Sequence, residues 1–153
     1  MSTVHEVGNA LLRWWAARAA VLLGRLLSRL PPRRLSAALM VLRRGARPAT
    51  YEHASTARAA VVRSSPSCSG NGCLPRSVAT ALLCRFGGAW PTWRVGVMTA
   101  PFAAHAWVEA GDRIVDEPPG IDHFRVLMTV PPEPVGCGGS NPMAERRRTD
   151  GSV

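Results

Sequence analysis

A cysteine, a histidine and a pair of carboxylates stand in an order suited to nucleophilic acyl chemistry: Cys73, His105, then Asp116 and Glu117. A thiol attacks a carbonyl as its thiolate, so the local setting of Cys73 decides whether it can act. Asn71-Gly72 is a turn signal, and from Leu74 the apolar residues recur at helical period, with Pro75 suited to a first helical turn. Cys73 is therefore expected at the mouth of a helix, where unpaired backbone N–H groups, the positive end of the helix dipole and nearby Arg76 favour negative charge. His105 falls in Ala104-His105-Ala106-Trp107-Val108-Glu109, a run of period two that places His105, Trp107 and Glu109 on one face of a strand. Ala110-Gly111-Asp112-Arg113 reads as a hairpin turn, and Arg113 to Val115 as its return strand. One of the two carboxylates that follow, Asp116 or Glu117, would lie near His105 and orient its ring, completing a cysteine–histidine–acid triad.

The elements around these residues alternate helix-rich and strand-rich stretches. Ala10 to Leu30 shows helical spacing through Leu12, Trp15, Ala19, Leu23, Leu26, Leu27 and Leu30, and a proline pair at 31–32 stops it. Arg33 to Arg44 forms a second helix and Thr50 to Val62 a third, and Ser64 to Gly72 is a loop by composition. The helix from Leu74 to about Phe86 is apolar on most sides and so is expected at the centre of the domain. Strands follow at Trp90 to Met98, at the His105 run, at Arg113 to Val115 and at Phe124 to Val130. This is an α+β pattern, a buried helix carrying the nucleophile on a small antiparallel sheet, with a helical region over 1–62, a core over 63–130 and a tail over 131–153 expected to be disordered.

Composition narrows the function classes. The chain has 153 residues, room for one domain, with a formal net charge of +9 carried by arginine and no lysine. The arginines are dispersed, with no helix-turn-helix or zinc-finger spacing and no interleaved aromatics, so nucleic acid is not the expected partner. Cys68, Cys73, Cys84 and Cys137 include no close pair of metal-ligand spacing, and no metal or other cofactor is expected. Cys84 reads as a small buried hydrophobe. Nothing near the start resembles a secretory signal, which points to a reducing cytoplasm and free thiols rather than a disulfide between Cys68 and Cys73. Arginines 13, 18, 25 and 29 interrupt the first helix too often for a membrane span. Its leucine and tryptophan stripe is expected to pack on the domain or on a partner, in preference to lying on a membrane surface. His53 and His123 lack the strand setting and downstream carboxylate of His105, and His5 reads as exposed or disordered.

Three segments taken together, Cys73-Leu74-Pro75-Arg76-Ser77, Trp90-Pro91-Thr92-Trp93-Arg94-Val95-Gly96-Val97 and Pro101-Phe102-Ala103-Ala104-His105-Ala106-Trp107-Val108-Glu109, resemble the lasso peptide biosynthesis B2 proteins, transglutaminase-like cysteine leader peptidases. The resemblance covers roughly residues 30 to 130. It implies a papain-like or transglutaminase-like core, with Cys73 as nucleophile and His105 as its base. The family's acid is usually aspartate; the corresponding position, twelve residues beyond His105, is Glu117, with Asp116 beside it. The implied substrate is a ribosomally made precursor peptide, presented by a separate leader-recognition protein and passed to an ATP-dependent macrolactam cyclase. The apolar face of residues 10 to 42 is then a candidate docking surface for that protein. Trp107 and Trp93 are candidates for the lining of a peptide cleft or, equally, for aromatic packing in the core, and Arg76 either positions Cys73 or pairs with a carboxylate. An amine-accepting acyl transferase, or a peptide-binding module with an incidental cysteine, are the rival readings.

Overall fold

The computed structural model describes residues 2–65 and 72–134, of which 2–8 by backbone alone. Cys68, Cys137 and most of the expected tail lie outside the described residues. Four helices and six strands follow in the order α1 (Ser2–Leu27), α2 (Pro32–Leu42), β1 (Arg47–Pro48), α3 (Tyr51–Ser64), α4 (Cys73–Phe86), β2 (Ala89–Trp90), β3 (Thr92–Thr99), β4 (Phe102–Ala110), β5 (Arg113–Ile114) and β6 (Arg125–Val130). The fold is α+β, with α4 at its centre. It packs against α1 and α3 on one side and against β2, β3 and β4 on the other. Eight of its fourteen residues are buried, which is what an all-round apolar helix requires.

The main sheet is antiparallel in the order β5-β4-β3-β6. Gly111 and Asp112 both adopt positive φ, 58° and 60°, the backbone a two-residue hairpin needs to match the twist of its strands. The β3–β6 register shifts between Val95 and Gly96, so that Gly96 pairs with Val126 while Val95 pairs with Met128. In the pairing with β4, Gly96 stands opposite His105. A Cβ on Gly96 would lie 3.0 Å from the Trp107 ring, so this glycine makes the space the indole occupies. A second, two-stranded parallel pair, β1 with β2, joins the connection after α2 to the chain leaving α4. Strands of two residues carry no periodicity, and the expected strand from Trp90 is broken at Pro91, which has no N–H to donate.

The first helix differs from expectation in extent, and of the two seats expected for its leucine and tryptophan stripe, the domain or a partner, most of the stripe does not take the domain. The helix begins at Ser2, and the buried residues among its described side chains are Ala17, Ala20 and Val21, with Gly24 beside them. A Cβ on Gly24 would stand 2.9 Å from the Pro75 carbonyl oxygen and 3.0 Å from Ala79 Cβ. Small side chains let α1 approach the first turns of α4 closely, and that contact turns Leu11, Leu12, Trp14, Trp15, Leu22, Leu23 and Leu26 outward, while Leu27 still packs on the core. Close helix packing thus overrides the larger apolar stripe. At the other end of the described chain, Arg43 donates to the carbonyls of Pro131 and Pro132, and the Gly45 N–H donates to Glu133. These bonds seat residues 131–133 against the end of α2.

Candidate active site

Cys73 is the first residue of α4 and is half-buried. Helix geometry leaves the N–H groups of its first turn without intrahelical acceptors; Pro75 has none, and Arg76 N–H closes onto the Gly72 carbonyl at 3.0 Å. The turn is tied to the sheet from below. Ser77 Oγ donates to the Leu74 carbonyl at 3.0 Å and accepts from Trp93 Nε1 at 3.0 Å. Thr80 Oγ1 donates to the Arg76 carbonyl, so the buried hydroxyls of the helix are satisfied.

His105 projects from β4 toward the mouth of α4 and hydrogen-bonds the Cys73 thiol. Its Nε2 is 2.9 Å from Glu117 Oε2, which leaves Nδ1 for the sulfur. The imidazole is walled by two rings, Trp107 at 6.2 Å between centroids with an interplanar angle of 17°, and Phe124 at 5.7 Å. A histidine held by a thiol, a carboxylate and two aromatic faces has one orientation.

Of the two candidate acids the geometry brings only Glu117 to His105. Asp116 adopts a positive φ of 48°, a conformation aspartate tolerates better than most residues, and this sends its carboxylate toward α3. There it accepts hydrogen bonds from Tyr51 Oη and Ser55 Oγ. Glu117 is the opposite case. Its side chain is 3% exposed and both oxygens are engaged: Oε1 by Arg58 Nε and Nη2 at 3.2 and 3.0 Å, Oε2 by His105 and by Arg76 Nη2 at 3.3 Å. Arg76 is thus a partner of the acid. Arg58, from α3, was not singled out in the sequence; lying 59 residues from Glu117, it gives no local signal.

These contacts bias the protonation of the group. The Cys73 thiol is held below its ordinary value, chiefly by the hydrogen bond from His105, with the Ala106 N–H and the charges of His105 and Arg76 adding to it against the burial that opposes it. His105 is raised to about 9 by its hydrogen bonds to Cys73 and Glu117, again against burial. Burial pushes the Glu117 carboxyl up, but the His105 hydrogen bond and the Arg58 and Arg76 charges more than offset it, so it lies below the usual glutamate value. All three directions favour a thiolate–imidazolium pair beside an ionised carboxylate. Cys84, in contrast, is pushed up to about 12 by burial alone, as expected of an inert interior thiol.

Of the two readings open for Trp93 and Trp107, cleft lining or core packing, the structure places both side chains in the interior. Trp93 is fully buried and anchors the first turn of α4 through Ser77. Trp107 is 2% exposed and donates to Glu109 Oε1 at 2.8 Å, while Glu109 Oε2 stands 3.2 Å from Arg94. Indoles bury 150–250 Å² each, roughly 4–6 kcal/mol of transfer free energy, and the fold spends them on the core. His53 lies against Gly87 at the far end of α4, about 20 Å along the helix from Cys73 by its rise per residue. It lines a concavity of about 550 Å³ with Leu12, Leu83 and Phe86, remote from the thiol. His123 is exposed, its Nδ1 3.2 Å from the Gly120 carbonyl. Among the described residues no cluster of His, Cys, Asp and Glu could hold a metal ion.

A sequence model of the transglutaminase-like superfamily matches residues 17–129, a span that runs from α1 to β6 and includes Cys73, His105 and Glu117. Neither the curated proteins nor the solved structures give a match.

Proposed function

The chain belongs to the transglutaminase-like superfamily, and from that membership and the site at Cys73 we propose that it is a cysteine peptidase that removes the leader from a ribosomally made lasso precursor peptide. The superfamily includes both cysteine peptidases and acyltransferases. The observation that carries the proposal is the continuous chain Cys73–His105–Glu117, with the thiol at a helix N-terminus and the acid buried under two arginines. The narrower choice of substrate is supported by the sequence motifs around Cys73, Trp90 and His105.

In the proposed reaction His105 holds the thiol proton, and the Cys73 thiolate adds to the carbonyl carbon of the scissile amide. The oxyanion forms beside the positive end of α4, where the Cys73 N–H donates to it. The C–N bond then breaks, the imidazolium gives its proton to the departing amine, and a thioester remains on Cys73. Water, deprotonated by His105, hydrolyses the thioester and returns the thiol. Glu117 keeps the ring oriented and stabilises its charged form; it takes no proton itself. No cofactor enters any step.

A leader-recognition protein would supply the precursor, and a macrolactam cyclase would consume the freed core. The test is mass spectrometry of a precursor peptide incubated with this protein and its leader-binding partner, comparing wild type with Cys73→Ala and His105→Ala. Cleavage at one site by wild type alone, with one water added, supports the peptidase. A product heavier by an added amine would identify an acyl transferase in its place, and equal cleavage by both variants would remove the triad from the mechanism.

A further inference from the structure

At 3.6 residues per turn, Leu11, Leu12, Trp15, Leu22, Leu23 and Leu26 fall within an arc of α1 about 120° wide. All six are exposed, Leu12 by 69% and Trp15 and Leu22 by 61% each. The arc lies opposite Ala17, Ala20 and Val21, the residues that seat the helix on the domain. Nothing in the described fold covers it. Along one edge stand the exposed arginines Arg18 and Arg25, with Arg29 just past the end of the helix; the Arg18 guanidinium lies 4.8 Å from the centroid of the Trp14 ring, and Arg25 donates to Ser65 Oγ at 2.9 Å.

Charge identifies the occupant. Residues 1–44 hold eight arginines and a single acid, Glu6. A second copy of the chain would bring two such surfaces together and repel, and the sequence beyond Pro134 contains no apolar periodicity and an arginine triplet of its own. An amphipathic helix with leucine and tryptophan on one face and arginine along its border suits an anionic lipid surface, into which the apolar arc inserts while the guanidinium groups reach phosphate. No helix is long and apolar enough to cross the bilayer, among the described residues, so the helix lies along it. The stripe offers no polar group between its leucines with which to select a protein partner. We propose that the outward face of α1 binds anionic membrane surfaces peripherally, holding the catalytic domain at the bilayer. This inference is independent of the peptidase assignment.

The test uses the full chain with vesicles of phosphatidylcholine alone and of phosphatidylcholine with one quarter phosphatidylglycerol. Co-sedimentation at low salt should be at least about tenfold stronger with the anionic vesicles and should fall at 0.5 M salt, as expected of roughly three arginines near a charged surface. Tryptophan emission should shift to the blue, because Trp14 and Trp15 are exposed whereas Trp90, Trp93 and Trp107 are already buried. Leu22→Glu with Leu26→Glu, both at exposed positions, should abolish binding while leaving circular dichroism and thiol reactivity unchanged. Arg18→Glu with Arg29→Glu should remove the preference for anionic lipid. Failure to sediment with either vesicle, equal binding to both, or binding unaffected by the leucine variants would each overturn the proposal. So would light scattering that shows a dimer disrupted by the same variants in the absence of vesicle binding.

Discussion

Arginine and apolar side chains meet in two places in this molecule, with opposite results. Around Glu117, Arg58 and Arg76 are mostly buried, each bonded to a carboxylate oxygen, and their charge sets the ionisation of a catalytic candidate. Along α1 and just past its end, Arg18, Arg25 and Arg29 are exposed beside outward-facing leucines, with Arg25 also donating to Ser65 Oγ. The first cluster is rigid because removing any member strands a buried charge. The second is open, and its arginines act together as a surface. The lesson is that composition fixes neither role. What decides is whether a small-residue contact, such as Gly24 on Pro75, has already claimed the other side of the helix.

Substitutions in the inner cluster should have the larger effects. Cys73→Ala or His105→Ala should reduce kcat/KM for peptide cleavage by on the order of 10⁴-fold or more, with the double variant little worse than either single one, as for residues that act as a unit. Glu117→Gln keeps the shape but loses the charge, and should cost about 10²–10⁴-fold. Asp116→Asn should leave kcat near wild type, because that carboxylate is bonded to α3 rather than to His105. Equal losses in the two acid variants would erase the distinction drawn between neighbouring carboxylates.

The pH dependence sharpens the same contrast. As pH rises through about 9, His105 loses the proton it must give to the leaving amine, so kcat/KM should fall on that side. Glu117 acts in the reverse sense on stability. Its folded-state carboxyl is held low, so its contribution is full above its unfolded value and is lost as pH falls through the folded one. Arg58→Ala weakens the hold, and thermal melts between pH 3 and pH 7 should rise less steeply for the variant than for wild type. At neutral pH the loss should be about 1–3 kcal/mol, in the range of hydrogen bonds to charged groups, with Arg58→Lys recovering part of it.

Much of the site was legible because local chemistry sets it. Asn71-Gly72 and Pro75 mark the start of α4, period two marks β4, and Gly111-Asp112 marks the hairpin that brings residue 117 back beside residue 105. The choice between Asp116 and Glu117 was not legible, since strand alternation does not anticipate a left-handed residue between β5 and the acid. Arg58 was hidden for a different reason: it reaches Glu117 from a helix far away in sequence, and dispersed arginines look alike. The seat of α1 stayed open between the domain and a partner, because periodicity shows that a helix has an apolar side but not which side a neighbour will take. Here alanine and glycine won, since they allow the backbones of α1 and α4 to touch.

That contact yields the smallest effect in the series. Gly24→Ala should gain about 1 kcal/mol of helix propensity but lose more through overpacking, about 1–3 kcal/mol, because the obstructing atom is the Pro75 backbone oxygen and cannot swing away. A melt lowered by a few degrees, with reduced reactivity of Cys73, is the expected outcome. An unchanged melt would show that α1 is not seated on α4 as described.

The most direct test of the activated cysteine requires no substrate. Iodoacetamide alkylation of the native protein, resolved residue by residue by peptide mass mapping over a range of pH, reads the thiolate fraction at Cys73, with buried Cys84 as the unreactive internal standard. Cys73 should titrate below the ordinary thiol value of 9.0, and His105→Ala should move it upward. Titration of Cys73 at the ordinary value in the wild-type protein, unmoved by His105→Ala, would contradict the triad.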